Sequence, residues 1–100
     1  MRFTTALGAF ALIAIANAAV TGYCTPGFNY CDGVLDDVGD NDAAIMDALR
    51  RFGDVPDVRN RTGWRWFLFH CNDDHSLTVV ERCYDGCQNN GKGNTDTCRR

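Results

Sequence analysis

Residues 67–87 read FLFHCNDDHSLTVVERCYDGC and hold three of the six cysteines, both histidines and four acidic residues. Such residue types support three kinds of chemistry. A metal site needs thiolates and imidazoles at short spacing, and a nucleophilic thiol needs an imidazole base within reach. A pair of strands pinned by disulfides needs neither. The elements that position these side chains decide among the three.

The stretches WRWFLFHC (64–71) and SLTVVERC (76–83) are rich in aromatic and β-branched residues, and four polar residues, Asn72–His75, separate them. This pattern predicts a β-hairpin in which Cys71 faces Ser76 and Trp64 faces Cys83. Trp64, Trp66, Leu68 and His70 then share one face, and Phe67, Phe69 and Cys71 the other. In that register Cys71 and Cys83 stand roughly 23 Å apart at ~3.3 Å per residue. They neither bond nor share a metal, and a Cys83–Cys87 bond closes too short a loop. Only Cys83-x3-Cys87 approaches zinc spacing, with no second pair to match. No metal and no cofactor is expected.

His70 and His75 are the only histidines available as general bases. His75 sits in a polar loop beside Asp73 and Asp74, and His70 falls on the tryptophan face as a packed imidazole. A ribonuclease-like pair would also want a cationic phosphate site, which an acidic chain does not offer. No catalytic residue is assigned. The acidic run Asp32–Asp47 fails the calcium-loop template, because Ala44 and Ile45 stand where a ligand and a glycine belong. It reads instead as helix capping and a solvated acidic face.

At the N-terminus, Met1-Arg2 precedes an apolar run, Ala6–Val20, with Ala16-Asn17-Ala18 as a small-x-small cleavage site. The run is too short to span a bilayer, and the order is that of a secretory signal peptide covering residues 1–18. The expected mature chain is a single domain, 19–100, without a membrane span. Removing Arg2 leaves nine basic and thirteen acidic residues, a net charge of −4. That balance argues against nucleic acid as a partner. All six cysteines, Cys24, Cys31, Cys71, Cys83, Cys87 and Cys98, fall in the mature part. In a short secreted chain they read as three disulfides, which a core of this size needs. Asn60-Arg61-Thr62 is the only glycosylation sequon, so Asn60 is the candidate acceptor.

The best helix is Asp40–Gly53. Asp40 or Asp42 supplies a cap, Ile45, Leu49 and Phe52 form the apolar stripe, and Arg50 and Arg51 suit the C-terminal end. Thr21–Gly33 reads as an extended, disulfide-tethered segment, Asp54–Gly63 as a loop, and Tyr84–Arg100 as a turn-rich tail. The expected fold is α+β: one helix packed on a hairpin or small antiparallel sheet, disulfide-stapled. Within it, Arg59, Arg61 and Arg65 beside Trp64 and Trp66 form the candidate binding surface, offering cationic donors and stacking planes. The competing assignment makes both tryptophans core and the arginines loop solvation. It is preferred, because so small a protein has few other large apolar residues.

The leader, YCTPGFNYC near the mature start, the LFHCNDDHSLTVVERC hairpin and the closing C-x3-C…NNGKG…C tail together resemble fungal small secreted cysteine-rich proteins, the candidate-effector class. The resemblance implies a compact, disulfide-stapled, extracellular protein that acts on a host, and it carries over no functional residues. The sequence reading is thus a secreted effector-like monomer that binds an unidentified protein or glycan target without catalysis. The alternatives are an antimicrobial or killer-type toxin and an inhibitor of a secreted enzyme.

Overall fold

A computed structural model describes residues 24–100. The expected leader, its cleavage site and the first mature residues, 19–23, lie outside the described residues. Strand β1 (Asn29–Cys31) runs directly into helix α1 (Asp32–Val38), followed by helix α2 (Asp42–Phe52) and a 3-10 helix (Arg61–Trp66). Strands β2 (Phe67–Cys71) and β3 (Leu77–Arg82) complete a three-stranded antiparallel sheet of order β1-β2-β3, and β4 (Cys87–Gln88) pairs with β5 (Thr97–Cys98). The architecture is α+β and stapled by three disulfides: Cys24–Cys71, Cys31–Cys87 and Cys83–Cys98. Neither Cys71–Cys83, excluded by its span along the hairpin, nor Cys83–Cys87, excluded by its short loop, forms.

Helix α2 buries Ala44, Ile45, Ala48 and Leu49 against the sheet. The two alanines keep the helix close to the strands. Phe52, expected within the stripe, lies at the rim, partly exposed and edge-on to Phe67 at 5.7 Å. Asp40 does accept from a first-turn N–H, that of Asp42, at 3.2 Å. Gly53 has φ of 80° and returns its N–H to the Leu49 carbonyl, a conformation a β-carbon would strain.

Helix α1 corrects the extended reading of the chain through Gly33. Its seven residues include one glycine and three aspartates, which is poor local helix propensity. Tertiary packing compensates: Leu35 is fully buried, and the buried Asn41 donates to the Leu35 carbonyl at 2.8 Å. Asn41 thereby closes α1 while its own carbonyl accepts from Ile45 at the start of α2.

The hairpin register also differs from expectation. Cys71 pairs with Leu77 rather than Ser76, and an irregularity between Leu68 and Phe69 leaves Val80 unpaired and exposed. The cause is the loop. His75 adopts φ of 69°, and the Asn72 N–H donates to the Ser76 carbonyl, so only Asp73, Asp74 and His75 turn the chain. A three-residue loop with a left-handed last residue sets this register, and histidine tolerates that conformation better than most side chains. The expected strand from Trp64 is corrected as well: it begins at Phe67, and Trp64 and Trp66 belong to the 3-10 helix. Asn60 caps that helix, its Oδ1 accepting from the Thr62 N–H and hydroxyl.

Two cores result. Leu35, Leu49, Trp64, Phe69 and Leu77 anchor the main one, and Leu68 packs with Cys83, Cys87 and Cys98 on the opposite sheet face. Asp96, only 1% exposed, fastens the tail to β1: Oδ2 accepts from the Cys31 N–H and Oδ1 from the Asn90 N–H, both at 3.0 Å. Asp96→Ala leaves both donors without an acceptor. It should cost about 2 kcal/mol in urea unfolding. A cost under about 0.5 kcal/mol would mean that these bonds are replaced by water.

Candidate binding surface

The arginine–tryptophan stretch divides into an internal clamp and an external surface. Arg61 forms the clamp. Its guanidinium pairs with Asp42 of α2 and, at 3.4 Å, with Asp36 of α1, and lies 4.8 Å from the Trp64 ring centroid. The hydrogen bond to Asp42 holds the Arg61 proton more firmly than usual. Burial pushes the Asp36 carboxyl above its ordinary value of 3.8, and Arg61 opposes that rise. Thus Asp36 and Asp42 of the acidic run are tied to Arg61 at the surface, while Asp37 and Asp40 stay exposed and Asp40 caps α2, as expected of a solvated, capping face.

Trp64 is 2% exposed, and its indole N–H donates to the Val58 carbonyl at 2.8 Å. Its assignment to a binding surface is therefore corrected: it is core. Arg59 is exposed and lies 3.5 Å from Asp57. Trp66, by contrast, is 41% exposed, which corrects its assignment to the core. The 3-10 geometry explains the split, because residues two apart on a helix point in different directions, whereas on a strand they share a face.

Around Trp66 the fold assembles residues from distant parts of the chain. The Arg65 guanidinium stands 5.7 Å from the Trp66 ring centroid, and its Nε donates to the Thr62 carbonyl at 3.4 Å. Tyr84 is 83% exposed and shares a recess of about 250 Å³ with Trp66, Arg82 and Cys83. Arg82 is held in place by the Asp54 carbonyl at 3.1 Å and by the Phe67 ring. On the other side of Trp66, a groove of about 600 Å³ is lined by Arg65, Arg99, Asp32, Asp37 and Asp85. Gly86, at φ of 90°, passes between Trp66 and Arg99, and its carbonyl accepts from the Arg99 N–H at 2.8 Å. Among the described residues neither Arg65 nor Arg99 has a carboxylate within ion-pair distance. Asp32 is partly desolvated, and burial raises its carboxyl above 3.8 against the pull of the Gly33 N–H.

Sequence reasoning singled out Arg65 and missed Tyr84 and Arg99. Each of the latter follows a half-cystine of the same bond, Cys83–Cys98, so knowledge of that pairing would have brought them together. The histidines stay apart from this surface. His70 Nδ1 bonds Asn29 Oδ1 at 2.7 Å, and His75 shapes the hairpin turn. Asp74 in that turn is held below 3.8 by the Ser76 hydroxyl and N–H. Among the described residues no cluster of three histidine, cysteine, aspartate or glutamate side chains suits a metal, and no helix is long and apolar enough to cross a membrane. The six cysteines are all paired, an arrangement consistent with an extracellular protein. Comparison with known protein families, curated proteins and solved structures gives no match for this chain.

Proposed function

We propose that the protein is a secreted, effector-like binding protein of the fungal small cysteine-rich kind, working without catalysis through the surface centred on Trp66. One observation carries this reading. A large aromatic ring and the neighbouring Tyr84 stand exposed beside two arginines that have no carboxylate within ion-pair distance, where most other large apolar groups among the described residues are buried. Aromatic and arginine side chains dominate recognition hot spots, since they bring contact area and directed donors together. Three disulfides hold the segments that carry them, so little ordering entropy remains to be lost on binding.

The test compares the oxidised wild type with a Trp66→Ala/Arg99→Glu variant, each immobilised and exposed to host extracellular fluid. The wild type should retain a partner that the variant loses, with both giving the same circular-dichroism spectrum. Equal retention by the two would refute the assignment of the surface. Turnover of any polymer substrate that His70→Ala and His75→Ala abolish would refute the non-catalytic reading.

A further inference from the structure

The groove beside Trp66 does not end there. It adjoins a second recess of about 540 Å³, and the two share Val34, Asp37 and Asn89. Trp66 stands at one end of the combined trough. Phe28 and Tyr30 stand at the other, stacked with ring centroids 6.4 Å apart and 29° between planes. Helix α1 forms one wall, and the loops of the C-terminal tail form the other. We infer that this trough binds a neutral oligosaccharide, a deepening that rests on the binding reading above.

Charge decides against polyionic ligands. Arg65, Arg99 and Lys92 face Asp32, Asp37 and Asp85 along the trough, so cations and carboxylates balance. A polyanion or polycation gains no net attraction there. The same lining mixes strong donors with strong acceptors. Asn89 Oδ1 accepts from the Gly91 N–H and Asn94 Nδ2 donates to the Asn90 carbonyl, which leaves the Asn89 amide N–H groups and the Asn94 carbonyl for a ligand. Sugar hydroxyls need such a mixture, because each is donor and acceptor at once. The exposed Trp66 ring offers a face of negative potential to the weakly positive C–H groups of a pyranose, while at the far end Tyr30 is buried in the core and the partly buried Phe28 lines the recess. The two recesses, about 600 and 540 Å³ and joined through Val34, Asp37 and Asn89, form an elongated open trough that suits several linked rings better than one.

A peptide fits less well. Peptides commonly add to a free strand edge, and the edge nearest the trough, that of β1, is already closed. Asn29 N–H donates to Thr95 Oγ1 at 2.7 Å, the Asp96 N–H to the Asn29 carbonyl at 2.9 Å, and the Cys31 N–H to Asp96 Oδ2. These bonds, with Cys31–Cys87, also hold the two walls at fixed separation.

The test titrates the full oxidised protein with cellohexaose, laminarihexaose, mannohexaose and chitohexaose, using oligogalacturonate as the acidic control. Calorimetry and tryptophan fluorescence are the readouts, and because Trp64 is buried, fluorescence changes report Trp66. At least one neutral hexasaccharide should bind with Kd below about 1 mM, and Trp66→Ala should weaken it ~10-fold or more. Lys92→Ala/Asn94→Ala, at the far end, should weaken the hexasaccharide but not the corresponding disaccharide. Absence of saturable binding by all four, tighter binding of oligogalacturonate, or binding that ignores Trp66 would each overturn the inference. A Trp66-dependent protein or peptide partner without oligosaccharide binding overturns it too, yet leaves the binding reading standing. Loss of both removes the two together.

Discussion

Removing the Cys31–Cys87 bond, as Cys31→Ala/Cys87→Ala, should lower stability by about 3–4 kcal/mol and the melting midpoint by roughly 15–25 °C. The bond spans 56 residues, and chain-entropy arguments alone assign such a loop about 4 kcal/mol. The intact Cys24–Cys71 bond offers a shorter covalent route between the same two positions, which reduces the figure somewhat. Against a total on the order of 5–15 kcal/mol for a small domain, the loss is severe. It also detaches β4 from the junction of β1 and α1, one wall of the trough from the other. Scanning calorimetry of the double variant checks the value. A fall of less than about 5 °C, equivalent to ~1 kcal/mol, would mean that Asp96 and the tail hydrogen bonds suffice to hold the two walls.

The second large effect separates two neighbouring residues of one type. Trp64→Ala should cost about 3–5 kcal/mol, because it empties a core site and orphans the Val58 carbonyl. It also removes the ring over which Arg61 lies, loosening the clamp between α1 and α2. Trp66→Ala should cost no more than about 1 kcal/mol, since much of that ring is already in solvent. Trp64→Phe tests the cause: it keeps most of the volume but loses the indole donor, and should fall between the two. Denaturant unfolding of the three variants gives the order directly. Equal costs for Trp64→Ala and Trp66→Ala would place both rings in the core and remove the basis of the Trp66 surface.

That contrast also shows how far the sequence could be read. Periodicity located α2 well, since Ile45 and Leu49 carry a clear helical spacing with a glycine beyond. Strand composition likewise located β2 and β3. It did not locate α1, because Asp32–Val38 has weak helix propensity and depends on Leu35 and Asn41 finding partners elsewhere. The register slipped by one residue because a histidine takes the left-handed position that a glycine usually marks. The same local ambiguity extended β2 back through Trp64. A strand and a 3-10 helix are both compatible with RTGWRW, yet the strand puts the two tryptophans on one face and the 3-10 helix turns them apart. The binding surface was legible at Arg65 and, as the less favoured of two assignments, at Trp66. Tyr84 and Arg99 reach it through the long-range Cys83–Cys98 bond, which single-residue patterns do not encode.

The order of the bonds along the chain has a consequence for cleavage by proteases. Cys31 lies inside the loop closed by Cys24–Cys71, and Cys83 lies inside the loop closed by Cys31–Cys87. Each bridge therefore overlaps the next, and every peptide bond between Cys24 and Cys98 is straddled by at least one of them. A single cut anywhere in that span, the exposed Asp54–Asn60 loop included, frees no fragment. The nicked molecule gains only the one water of hydrolysis, its pieces stay covalently linked, and its two walls stay joined. In surroundings rich in secreted proteases, a first cleavage would leave this protein whole until a second cut or a reductant followed.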